Sequence, residues 1–404
     1  MARRRAGAFA PIWVAPQKFI IAFVPLREVE GQKLFLLSQN KNKEDNMKTQ
    51  SFNEIENLTK EYSMIPICKE IYADVITPIQ LLRKMEAFDK NFFLLESVEG
   101  GEKWARYSFL GYEPVLHITC KNGKVTQKSG EIEHTVTVDP MDALRQLLHK
   151  YKSPKIEGMP TFTGGFVGYF GYEMIGYAEL KLNIKDSEFD DYNLMLFDKV
   201  IVYDHLKQKI MVIANMKSKD GIQGYNTALL EIEKMIALIN DQRKLPVLEA
   251  DKDVKFKCNV TKEEYCRMIE RTKHYIKEGD IFQGVISRRF VADYKSSLIN
   301  AYRVLRTTNP SPYMYFIQSD DLQIAGASPE TMVKLVDGKL TTFPVAGTRP
   351  RGVNDEQDKT LEKELLADEK ELAEHNMLVD LARNDMGRIA KYGSVYLEDY
   401  MKIH

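Results

Sequence analysis

Two carboxylates three residues apart, Glu371 and Glu374, stand near the start of a strongly helical run, DEKELAEHNMLVDLARNDMGR, from Asp368 to Arg388. Residues at this spacing share a helix face. At about 100° per residue, one apolar stripe passes through Leu361, Leu365, Leu372, Val379 and Met386. A second holds Met377, Leu378 and Leu381, and the two acids project on this second stripe rather than on a solvated face. Like charges beside apolar neighbours repel and lose hydration unless a cation or proton compensates them. Their oxygens suit a hard divalent ion such as Mg²⁺. The same residues also fit an ordinary amphipathic helix with its acids in water.

Other segments carry chemistry of their own. PVAGTRPRG (344–352) offers backbone N–H groups and a hydroxyl at Gly347 and Thr348, and guanidinium forks at Arg349 and Arg351 that suit a carboxylate; it is equally a basic surface turn. Glu330 in GASPE (326–330) reads most simply as a satisfied turn carboxylate, and His375 as a packed helix histidine. GGFVGYFGYE (164–173) has too loose a glycine spacing for a dinucleotide fingerprint. Its glycines predict a backbone that approaches another backbone or a ligand closely.

The elements that must position these groups come in blocks of strands and helices rather than in strict βαβ alternation. That pattern predicts an α+β fold, a large antiparallel, sandwich-like sheet core flanked by helices. Thr77 caps a helix beginning at Pro78, and 140–151 and 222–242 are helical. FFLLES (92–97) is a buried strand, and RYSFLGYEPVLHITCKNGKVTQ contains a hairpin about Asn122-Gly123. LMLFDKVIVYDHLKQKIMVIAN reads as two strands about an Asp204–Lys207 turn. Thr261 and Glu264 form a capping box for a helix that Gly279 stops, and IFQGVISRRFVADY reads as a strand. Residues 297–308 are helical, and hairpins follow about Asp320-Asp321 and Asp337-Gly338. The polar stretch 241–257 is the expected linker between an N-terminal domain (47–240) and a second domain (258–404). Residues 1–46, broken by Pro11, Pro16 and Pro25 and ending in a polar tract, read as an extension outside the functional fold, with Met47 a possible start.

Lys plus Arg (57) nearly balances Asp plus Glu (58), which gives no electrostatic case for nucleic acid or a membrane surface. The four cysteines form no C-x-x-C pair and suggest neither zinc nor a disulfide framework. A reducing cytoplasm is the natural compartment.

LLES (94–97), GGFVGYFGYE, GDIFQGVISRRF (279–290), NPSPYMYF (309–316), GASPE, PVAGTRPRG and DEKELAEHNMLVDLARND (368–385) occur in the order seen in the chorismate-utilising enzymes. From about Met47 onward the chain resembles the large subunit of anthranilate synthase. The resemblance implies the chorismate-binding fold and Mg²⁺-dependent conversion of chorismate and ammonia to anthranilate and pyruvate. Glu371 and Glu374 are then metal ligands, and Gly347 and Thr348 hold substrate. Ammonia would come from glutamine on a partner amidotransferase subunit, making a hetero-oligomer. Tryptophan would inhibit at a separate pocket matching Glu96, Ser97, Arg106, Pro312, Tyr313 and Met314. Ala346 stands where aminodeoxychorismate synthases carry Lys, so ammonia must attack directly. Gly284 and Arg288 depart from the family's usual Val and Gln. The family's catalytic histidine is expected beyond His404, so the fold is expected to be incomplete at its C-terminus and this chain to turn over little. Two other readings are an aminodeoxychorismate synthase-like enzyme and a non-catalytic remnant that binds tryptophan or the amidotransferase.

Overall fold

The computed structural model describes residues 19–25, 49–97, 106–184, 186–248, 251 and 254–403. Among them two antiparallel sheets lie face to face. One runs in the order β1 (Phe19–Pro25), β8 (Gly165–Gly171), β9 (Tyr192–Phe197), β5 (Leu116–Lys121), β6 (Lys124–Ser129), β7 (Ile132–Val136). The other runs β15 (Leu322–Ser328), β14 (Tyr313–Ser319), β3 (Asn91–Glu96), β4 (Tyr107–Tyr112), β10 (Lys199–Asp204), β11 (Lys209–Lys217), β2 (Met64–Tyr72). Their facing sides interdigitate through Phe93, Val167, Met195, Phe197, Ile213 and Ile317, all buried. The Phe93 and Phe197 rings meet edge to face, 4.8 Å between centroids.

Helices close both outer faces. On the seven-stranded sheet lie α1 (Pro78–Glu86), α3 (Gly221–Asn240) and α5 (Ile299–Thr308), which insert Leu81, Leu82, Ile232, Met235 and Tyr302. On the other sheet α2 (Pro140–Lys150) sets Ala143, Leu144 and Leu147 against Ile118 and Leu194. The expected sandwich flanked by helices is therefore present. Thr77 caps α1 and the Thr261–Glu264 capping box forms, both as expected, and Gly279 ends α4 (Lys262–Glu278) at φ +82°. The backbone approach expected of GGFVGYFGYE is close: a Cβ at Gly168 would lie 2.0 Å from the Asn193 carbonyl oxygen.

Several expectations need correction. LMLFDKVIV is two strands, because the chain leaves one sheet after Phe197 and enters the other at Lys199, with the Asp198 carbonyl held by the Asn215 backbone and side-chain amides. Of IFQGVISRRFVADY only β13 (Phe290–Val291) is a strand, since its partner β12 (Lys257–Cys258) offers just two paired residues. The helical run from Asp368 to Arg388 forms as α7 (Glu369–Gly387), capped by Asp368, but Leu361 and Leu365 belong to a separate helix, α6 (Asp355–Ala367). The first apolar stripe is thus not continuous, and Val379 is its one buried member. The 241–257 linker does not divide the molecule into its layers, because β14 and β15 complete the seven-stranded sheet beside β3. Within 1–46, residues 19–25 pair along β8 as an edge strand rather than standing apart; Met47 and His404 lie outside the described residues.

Candidate active site

The 344–352 loop and the start of α7 are tied together by one ion pair. Arg349 Nη2 donates to Asp368 Oδ2 at 2.7 Å. Asp368 Oδ1 accepts from the N–H groups of Lys370 (3.1 Å) and Glu371 (3.2 Å), capping the helix. The Glu371 amide and the Arg349 guanidinium hold the Asp368 carboxyl below the usual carboxylate range. Arg351 Nη2 lies 3.3 Å from Asp358 Oδ2 on α6. Both guanidiniums are thus engaged by helix carboxylates and brace the loop.

The brace lays Gly347 against Glu371. Gly347 has φ +77°, and a Cβ there would lie 3.2 Å from Glu371 Oε2 and 3.0 Å from Leu365 Cδ1. Glu374, one turn on, accepts from Gln283 Nε2 at 3.4 Å. The two glutamates are half-buried, their side chains 18% and 32% exposed. Between them sits Lys370, whose Nζ is 3.2 Å from Glu371 Oε1 and 3.4 Å from Glu374 Oε2. These carboxylates push the lysine's pKa upward. The cation that the paired acids demand is supplied here by a lysine. An ammonium placed between two carboxylate oxygens shows that the pair accepts positive charge. Two carboxylates suit Mg²⁺, which usually takes one or two and fills its octahedron with water and substrate. Among the described residues no group of three or more His, Cys, Asp or Glu side chains converges as a closed metal cage.

The sequence-predicted metal pair and Gly347 are therefore brought together, and Thr348 follows in the same loop. Glu330 accepts from the Val345 N–H at 3.4 Å, the satisfied turn role expected of it. His375 is half-buried beside the Tyr400 ring, 5.9 Å between centroids, and its Nε2 has no hydrogen-bond partner among the described residues. A Cβ at Gly284 would meet Thr272 Cγ2 at 2.4 Å, so a larger residue there requires the Thr272 side chain to shift. Arg288 stacks on Phe290, 4.9 Å from its ring centre.

A second cluster forms at one end of the seven-stranded sheet, where register sets Glu96 beside Met314 on one side and Ser108 on the other. Glu96 and Met314 are buried; Ser97, Pro312 and Tyr313 are half-buried. Tyr313 Oη contacts Thr331 Oγ1. Arg106 is committed to Asp204, Nη2 to Oδ2 2.8 Å. Glu96 is held by residues that the sequence reading missed. Tyr302 Oη donates to Oε1 at 2.7 Å, and Arg306 Nη2 to Oε2 at 2.9 Å. Ser108 Oγ donates to Oε2 at 3.4 Å and lies 2.7 Å from His205 Nε2. Tyr302 and Arg306 sit four apart on α5, a spacing that could have flagged a tyrosine and an arginine sharing one face.

The family model described as "chorismate binding enzyme" matches residues 90–404. The chain belongs to that family. Among its curated relatives, anthranilate synthase component 1 of Acetivibrio thermocellus is 41% identical over 364 residues, covering 87% of this chain and 74% of the relative. That of Aquifex aeolicus (strain VF5) is 40% identical over 370 residues, covering 87% and 73%. A solved structure of anthranilate synthase component I from Streptococcus pneumoniae TIGR4 aligns with TM-score 0.65 at 33% identity, over 83% of this chain and 72% of that one. This member of the chorismate binding enzymes thus shares both its sheet architecture and its sequence with proteins of that name. Among its described residues no helix is long and apolar enough to cross a membrane.

Proposed function

We propose that this chain is an anthranilate synthase large subunit, converting chorismate and ammonia to anthranilate, pyruvate and water in tryptophan biosynthesis. The observation that carries the reading is the Gly347 backbone laid against the Glu371 carboxylate, with Glu374 one helical turn further on. Glu371 and Glu374 would hold Mg²⁺. When bound, that ion supplies Lewis-acid stabilisation of the ring carboxylate's charge as the C4 hydroxyl leaves. Gly347 and Thr348 hold substrate oxygens, and Arg349 fixes the loop that presents them. Lys370 yields the carboxylates on loading and turns outward, being the most exposed of the three side chains. Ala346 has no nucleophile, so ammonia adds to the ring itself. This is the feature that favours anthranilate over an aminodeoxychorismate product.

Ammonia is supplied by glutamine hydrolysis on a separate amidotransferase subunit, consistent with the "component 1" in the relatives' names. Tryptophan inhibits from the Glu96 cluster, its ammonium on the Glu96 carboxylate and its indole beside Pro312, Tyr313 and Met314, with Ser97 and Arg106 at the rim. The enzyme works in the cytoplasm.

Chorismate titrated calorimetrically into the 404-residue chain should bind in Mg²⁺ and lose its Mg²⁺-dependent affinity in Glu371→Gln and Glu374→Gln. Equal affinity with and without Mg²⁺, or in both variants, overturns the reading. Any product formed in ammonium should be fluorescent anthranilate; aminodeoxychorismate would favour the second activity. Tryptophan at millimolar concentration should raise the melting temperature, and a folded sample without a shift removes the inhibitor site.

A further inference from the structure

We infer that Arg306 is the missing half of the amino-acid site: its guanidinium, now on Glu96, receives the carboxylate of a zwitterionic ligand whose ammonium takes its place on Glu96. The inference rests on reading Glu96 as the ammonium site.

The Glu96 side chain is 2% exposed and that of Arg306 29%. A buried carboxylate needs a counter-charge, and Arg306 is the one cation in hydrogen-bond contact with it among the described residues. The pair is neutral. An incoming ammonium alone would strand the guanidinium, whereas an α-amino acid brings one charge of each sign and leaves the cluster neutral. Ion pairs are then exchanged, not broken. The existing pair is also imperfect. Arg306 Nε lies 2.5 Å from Glu96 Oε1, yet the contact is not aligned as a hydrogen bond and this buried N–H finds no acceptor among the described residues.

Other groups stay fixed during such an exchange. Tyr302 is fully buried and keeps its hydrogen bond to Oε1, which orients the carboxylate. Ser108 is likewise buried and is backed by His205. Burial holds the His205 imidazole pKa below its ordinary value, so this side of the cluster adds no cation at neutral pH. Tyr302 and Ser108 are therefore positioning residues, and Arg306 is the part that moves.

The test compares L-tryptophan with tryptamine, which lacks the carboxylate, by calorimetry on the full chain. In the wild type tryptophan should bind at least about tenfold more tightly than tryptamine. Arg306→Gln should weaken tryptophan by about tenfold or more while tryptamine holds or tightens, so that the ratio collapses. Arg306→Lys should retain most of the discrimination. A purely structural arginine would weaken both ligands alike, and that outcome overturns the inference. A wild-type ratio near one also overturns it, and needs no variant to fold. If wild-type binding of tryptophan is lost in Glu96→Gln but the ratio survives in Arg306→Gln, the inference fails and the Glu96 reading stands. If the wild type binds no tryptophan, the Glu96 reading fails and the inference with it.

Discussion

Gly347 holds φ at +77° with its Cα face turned to Glu371, so backbone strain and steric contact act at the same atom. An L side chain in this region costs about 1–2 kcal/mol. Gly347→Ala should therefore lower the chain's urea stability by about that amount while removing most Mg²⁺-dependent chorismate binding, because the methyl occupies the gap before Glu371. Retained binding would count against the loop's role. Lys370 makes the opposite prediction. Its single ammonium offsets one of the two carboxylate charges in the absence of a metal, so Lys370→Met should raise Mg²⁺ affinity severalfold by leaving both uncompensated. Calorimetry with Mg²⁺ alone reads this directly, and weaker binding would show that the lysine organises the site. The glutamate spacing was legible because helical period is a local property. The lysine's role was not, since its side chain had to be seen folding back between the two acids.

The β10–β11 turn shows what an element owes to one side chain. Asp204 accepts from the N–H groups of Leu206 (3.1 Å) and Lys207 (3.0 Å) as well as from Arg106. Burial pushes its carboxyl up, but the Arg106 hydrogen bond and the Lys207 amide outweigh it and leave the pKa below the ordinary value. A depressed folded-state pKa stabilises above the unfolded value of about 4 and is lost as pH falls through the folded one. Wild type should thus exceed Asp204→Ala in unfolding free energy from urea titration at pH 7, by about 1–3 kcal/mol. The two curves should converge as pH drops below about 4; a constant gap would assign the effect to turn geometry alone. This turn was legible from sequence, as were Asn122-Gly123 and Asp337-Gly338, where both residues of each pair take positive φ that only a few residue types tolerate. The break at Asp198 was not. LMLFDKVIV is apolar on both faces, and only the two sheets' separate pairing reveals where the chain changes partner. IFQGVISRRFVADY misled for the reverse reason: it has strand composition but almost no strand to pair with.

At the scale of the whole molecule, burial is uneven. The apolar clusters are built from residues 55–317, whereas beyond β15 Val379 is the one buried side chain among the described residues. Phe282, Val285 and Val353 are well exposed. Amide hydrogen exchange should follow this division. Protection on β14 should exceed that on α4 and on β16 (Lys334–Val336) by roughly 100-fold or more; equal protection would contradict it. Glu96 shows why the sequence left its partners unread: Tyr302 lies 206 residues on. The same separation has a consequence during synthesis. Glu96 pairs with Met314, so β3 has its final neighbour only after most of the chain has left the ribosome. At ~5–20 residues per second that wait lasts on the order of 10–40 s. Throughout it a nascent chain carries an unpaired, apolar strand edge, and slow translation or crowding between polysomes would show there first.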